Sequence, residues 1–124
     1  MKNILINFNI ESLDSNKSFV TKGYIDNNQI TFIDDESIEN IIILKENGLT
    51  YLKRGESIMD FPYIENVVTK GIYEYMNMSF EFEIFTNVLN VSDGMIHIES
   101  MLYQDGEKVN ESILDIKYQD IEED

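Results

Sequence analysis

The stretch Ile4-Leu5-Ile6-Asn7-Phe8-Asn9-Ile10-Glu11 sets Ile4, Ile6, Phe8 and Ile10 at every second position. In an extended chain successive side chains point to opposite faces, so these four share one face of a strand. The same reading holds at Phe80, Phe82 and Ile84, which alternate with Glu81, Glu83 and Phe85. The pattern recurs along nearly the whole chain, each run closed by turn residues, with no helical period between runs. A chain of this kind is a sheet that must hide one face and manage its edges. Closure into a barrel meets both needs.

Composition agrees with the periodicity. The 124 residues contain no alanine, tryptophan or cysteine. Alanine is the best helix former, whereas Ile, Val, Phe and Tyr favour strands. The length suits one domain with one core. Without cysteine there is no disulfide framework and no thiolate chemistry. The net charge is −15, from 24 acids against nine Lys and Arg. Nucleic-acid binding rests on cations that neutralise phosphates, and an anionic membrane makes the same demand. Neither partner is expected. Met1-Lys2-Asn3-Ile4 leads straight into strand alternation and lacks the apolar core of a signal peptide, so the expected location is cytoplasmic.

Ten runs read as strands: 3–13, 17–26, 29–34, 39–46, 49–54, a short sixth ending near Phe61, then 65–75, 79–91, 95–104 and 108–119. Asp14-Ser15-Asn16, Asp26-Asn27-Asn28, Gly55-Glu56, Asp93-Gly94 and Asp105-Gly106 supply turns. Asn47-Gly48 predicts a type I′ hairpin turn, in which both central residues take positive φ. Pro62 cannot donate to a ladder and belongs at a strand end or sheet edge. The barrel domain spans 1–119, and residues 120–124 form an acidic tail expected to fray.

Two irregularities stand out. Phe80, Phe82 and Ile84 are even-numbered, whereas Leu89 and Val91 are odd-numbered, which predicts a bulge or corner near Thr86–Val88. Ile41-Ile42-Ile43-Leu44 is apolar on both faces. Such a strand is either covered on both sides or contributes Ile41 and Ile43 to a subunit contact.

Several segments together resemble the YwiB-like family of uncharacterised bacterial proteins. Lys22-Gly23-Tyr24-Ile25-Asp26-Asn27-Asn28-Gln29-Ile30-Thr31-Phe32-Ile33-Asp34-Asp35-Glu36 is similar to its early hairpin. Leu52-Lys53-Arg54-Gly55 is similar to its Arg-Gly strand end, and residues 81–91 to the strand before its final hairpin. The last hairpin, residues 96–116, lies in the matching place. A Thr-Pro-Tyr-Gly-like corner of the family is replaced by Tyr75-Met76-Asn77-Met78, so that corner must be built differently. The resemblance implies an all-β, single antiparallel calycin-like (lipocalin-type) barrel of about 8–10 strands. It implies no activity.

Candidate chemistry is sparse. Arg54, the one arginine, ends a strand before Gly55. Three roles stay open for it: clamping a ligand carboxylate, capping the barrel over aromatic side chains, or plain surface exposure. His97 shares parity with Met95, Glu99 and Met101, opposite the apolar Ile96 and Ile98, and should face solvent. Glu81 and Glu83 share a strand face, but nothing drives their pKa values apart, so they read as a solvated surface. Asp34-Asp35-Glu36 lacks the spaced ligand pattern of a calcium loop. No metal or cofactor is expected.

Phe8, Phe32, Phe80, Phe82, Ile96, Ile98, Leu114 and Ile116 should converge inside. Their bulk argues for a filled interior over a cavity. The expected function is a non-enzymatic module that holds a small apolar or amphipathic ligand at the barrel mouth, with Arg54, Phe80 and Phe82 as contacts. The alternative is an interaction or assembly module, working through its acidic outer surface on a basic protein or as a homodimer through Ile41 and Ile43.

Overall fold

The ten alternating runs become ten strands. In the computed structural model, which describes residues 1–121, these are β1 (Lys2–Ser12), β2 (Asn16–Asp26), β3 (Gln29–Ile33), β4 (Glu39–Lys45) and β5 (Gly48–Arg54). The second half of the chain forms β6 (Ser57–Tyr63), β7 (Val68–Tyr75), β8 (Met78–Ser92), β9 (Met95–Gln104) and β10 (Glu107–Asp120). No helix occurs among the described residues. Each strand pairs antiparallel with its sequence neighbours, and β1 pairs with β10 from Ile4↔Asp120 to Ser12↔Ser112. The sheet is therefore a closed ten-stranded barrel without a free edge.

Period-two alternation sets the inside. Ile4, Ile6 and Phe8 share the inward row of β1; Phe8 pairs with Ile116 on β10, and Ile116 and Leu114 pair in turn with Ile96 and Ile98 on β9. All seven are 5% exposed or less. Burying one such side chain stabilises the fold by about 1.5–3 kcal/mol, so the inward row dominates the core. Phe82 is half-buried and packs against this core, while Phe80, also half-buried, lies outside its contiguous cluster.

The predicted slip in β8 is present. The β8–β9 register shifts between Thr86 and Val88, so Thr86 opposes Ser100 and Leu89 opposes Ile98. Thr86 and Leu89 thus both face inward despite their opposite parity. Glu65 braces the outside of the bulge, where its carboxylate accepts the Leu89 N–H at 2.8 Å. β7 consequently begins at Val68, later than the predicted residue 65.

Pro62 falls where the sheet tolerates it. The β6–β7 ladder ends at Asp60↔Ile72, so Pro62 pairs with Thr50 of β5 and is unpaired only on its β7 side. The Thr69 hydroxyl donates to its carbonyl oxygen at 2.6 Å.

The turns depart from expectation in one place. Lys45 pairs with Gly48, which leaves Glu46 and Asn47 as the central residues, and neither has positive φ. The Asn47-Gly48 type I′ turn is therefore not formed. Gly48 serves a different need, because a Cβ there would meet the Tyr63 carbonyl oxygen at 2.3 Å. Positive φ at both central residues occurs instead at Asp105 (52°) and Gly106 (81°), and at Met76 (50°) and Asn77 (63°), the segment where the family corner is missing. At the C-terminus Asp120 is still paired with Ile4, and the Ile121 N–H donates to Asn3 O at 3.0 Å. Of the predicted tail, Glu122, Glu123 and Asp124 lie outside the described residues.

Candidate functional site

The two ends of the barrel differ. Around the end that carries the Asn27-Asn28, Glu46-Asn47 and Asp93-Gly94 turns, Ile4, Ile6, Ile30, Ile42, Leu49, Ile84, Ile96 and Ile116 fill the interior. Towards the opposite end the inward positions become smaller or polar. Ser12, Lys17, Asn40, Lys53, Ser100, Asn110 and Ser112 surround a cavity of about 220 Å³. Its apolar wall includes Phe8, Phe19, Phe61, Tyr63, Ile98 and Leu114. The filled interior expected from the sequence is thus realised in one half only. Ten strands enclose more than the eight whose side chains just fill a barrel, and serines on β9 and β10 do not take up the difference.

The aromatic wall is internally braced. Phe8 lies 4.7 Å from Phe19 and 6.0 Å from Phe32, centroid to centroid. Phe61 meets Tyr63 edge-on at 6.5 Å and Phe82 at 6.1 Å. Such pairs add about 0.5–1.5 kcal/mol each beyond their buried area and fix the shape of the wall.

The polar side is a network hung on the β3–β4 connection. Asp34 Oδ1 accepts the N–H groups of Glu36 at 2.9 Å and Ile38 at 3.0 Å. Its Oδ2 accepts from Asn40 Nδ2 at 3.0 Å, and the Tyr51 hydroxyl donates to Asn40 Oδ1. Burial works to raise the Asp34 pKa, but the bonds from Asn40, Ile38 and Glu36 outweigh it and hold the carboxyl below its usual range. Burial pushes the phenols of Tyr51 and Tyr63 up, so both remain protonated. The acidic segment Asp34-Asp35-Glu36, which lacks a calcium-loop pattern, is therefore a structural anchor.

Two lysines reach this region. Lys17 Nζ is taken by Asp35 Oδ1 at 2.9 Å and Glu36 Oε1 at 3.1 Å. Burial works to lower its pKa, and those two carboxylates more than offset that. Lys53 is different. It shares the inward parity of Leu49 and Tyr51 and pairs across the sheet with Asn40 and Met59. Its ammonium lies 5.9 Å from the centre of the Tyr51 ring, with no carboxylate within 4.0 Å among the described residues. Burial lowers its pKa, against the pull of the Asp34 charge.

The residues singled out from the sequence are not gathered here. Arg54 takes the outward parity of β5, in register with Glu39 and Ile58, and is exposed. Phe80 and Phe82 point inward on β8 but do not line the cavity, and Phe82 stands behind Phe61. Ile41 and Ile43 face outward on β4, with Ile41 only 7% exposed. Sequence reasoning missed Lys53, Asn40 and Tyr51. The alternation Leu49-x-Tyr51-x-Lys53 carried the signal for the lysine.

Residues 7–116 match the family model described as a domain of unknown function, DUF1934. The chain belongs to the DUF1934 family. The match runs from β1 into β10 and so includes every strand that lines the cavity. The crystal structure of the YwiB protein from Bacillus subtilis is similar to this DUF1934 barrel, with a TM-score of 0.77 at 15% identity. The alignment covers 98% of this chain and 93% of that one. At that identity the likeness is one of fold. No curated protein matches the chain.

Proposed function

We propose that this DUF1934 barrel is a non-enzymatic binding module for a small amphipathic molecule held in its interior. The observation that carries the reading is the cavity of about 220 Å³, whose lining combines aromatic Phe8, Phe19 and Phe61 with polar Asn40, Lys53 and Ser100. Pockets that bind small molecules combine an apolar lining with a few placed polar groups. At roughly 300–1,000 Å³ the usual pocket is larger, so this cavity suits a small occupant of on the order of ten non-hydrogen atoms.

A ligand that binds only the folded state stabilises it by mass action, by about 2.7 kcal/mol at a hundredfold excess over Kd. Thermal unfolding against a panel of eight- to ten-atom amphiphiles should therefore raise Tm by several degrees for some members. NMR shifts on ligand addition should concentrate at Ile98, Leu102 and Leu114. Absence of both effects across the panel would overturn the reading.

A second reading rests on the outer surface. Tyr24, Thr31, Ile41 and Leu52 form one outward row across β2–β5, continued by Asp60 and Ile72. Ile33 and Ile58, both exposed, lie in the adjacent outward row. Such a face supports an assembly role, with the charge of −15 favouring a basic partner over a second copy.

A further inference from the structure

We propose that Lys53 is the recognition group for a carboxylate, and hence that the barrel's ligand is a small monocarboxylic amphiphile. The inference rests on the cavity-binding reading and names its ligand class. It follows from which polar groups of the cavity are already committed. Both Asp34 oxygens accept hydrogen bonds, Asn40 joins Asp34 to Tyr51, and Ser100 pairs with Ser112 at 3.3 Å. Lys17 is held by Asp35 and Glu36. Lys53 alone among the charged cavity residues has neither an ion pair nor a hydrogen bond among the described residues, and an ammonium offers three donors.

The sign of the ligand's charge follows. A partly desolvated ammonium gains most from an anion brought within hydrogen-bond distance, because the local dielectric is low. A cationic headgroup would sit beside Lys53 and find both Asp34 oxygens already engaged by Glu36, Ile38 and Asn40. A dianion would place a second charge near Asp34 with no further free cation to meet it. One lysine, one fixed carboxylate nearby and a small apolar wall fit a single negative charge on a short tail. The tail would lie along Phe8, Phe19 and Phe61, which line the same space.

The test is isothermal titration of the full chain at pH 7 with octanoate, 1-octanol and octylamine, which share a tail and differ in headgroup. Octanoate should bind at least tenfold more tightly than 1-octanol, and octylamine more weakly than either. Lys53→Met should weaken octanoate at least tenfold and leave 1-octanol within twofold. Lys53→Arg should retain most octanoate affinity, which keeps the test valid if the Met variant folds poorly. Equal affinity for octanoate and 1-octanol, or unchanged octanoate binding in a folded Lys53→Met, would overturn the carboxylate inference and leave the cavity reading intact. No binding of any of the three would overturn both.

Discussion

At the scale of single residues, position within a strand decides chemistry more than residue type does. Lys53 and Arg54 are adjacent cations, yet one points into the barrel and the other away from it. Arg54 is the sole arginine, but it is Lys53 that shares the inward parity of Tyr51. His97 shows the same logic on the outer face. Its Nδ1 lies 2.5 Å from Asp115 Oδ1 and its Nε2 2.8 Å from Glu99 Oε2. Hydrogen bonds to Asp115 and Glu99 raise its pKa above the ordinary 6.5, against a small opposing effect of burial. A raised folded-state pKa gives stability that is fully present below the unfolded value and lost as pH rises through the folded one. His97→Gln should therefore lower Tm most near pH 6. The difference should shrink towards pH 9 and correspond to at most about 1 kcal/mol. A difference that is flat between pH 6 and 9 would contradict the ion-pair account.

At the scale of elements, all ten strands were legible because each is an alternating run between turn residues. The β8 bulge was legible too, since a change of parity within one strand has few other solutions. Turn chemistry was less so. Asn47-Gly48 has the composition of a type I′ turn, but pairing of Lys45 with Gly48 moves the turn one residue earlier. The close approach of the Tyr63 carbonyl then explains the glycine. Met76-Asn77 lacks glycine and still adopts positive φ at both positions, because the β7 and β8 ladder fixes Tyr75 opposite Met78. Left-handed backbone costs a residue with a Cβ roughly 1–2 kcal/mol. Met76 is 71% exposed, so removing its side chain forfeits little packing. After the entropic cost of glycine, Met76→Gly should stabilise the protein by about 0.5–1 kcal/mol, measured by urea unfolding. A loss of stability would show that Met76 makes a contact worth more than its backbone strain.

At the scale of the whole molecule, the sum of charges governs association. Two copies at −15 repel, and added salt screens that repulsion within about 10 Å at 0.1 M. If the outward Ile41 row pairs two copies, sedimentation equilibrium should show a dimer that grows with salt and is abolished by Ile43→Lys. A monomer at every salt concentration would leave a basic partner as the remaining form of the assembly reading. The sequence by itself determined the strands, the buried row and the bulge, because period two and parity are local properties of a chain. Only the tertiary structure decided that the barrel is packed at one end and hollow at the other. Cavity volume depends on how many strands close and on which inward side chains meet across the interior. Those partners are far apart in sequence: Ser12, Asn40, Lys53 and Ser112 come together only once β1 has found β10.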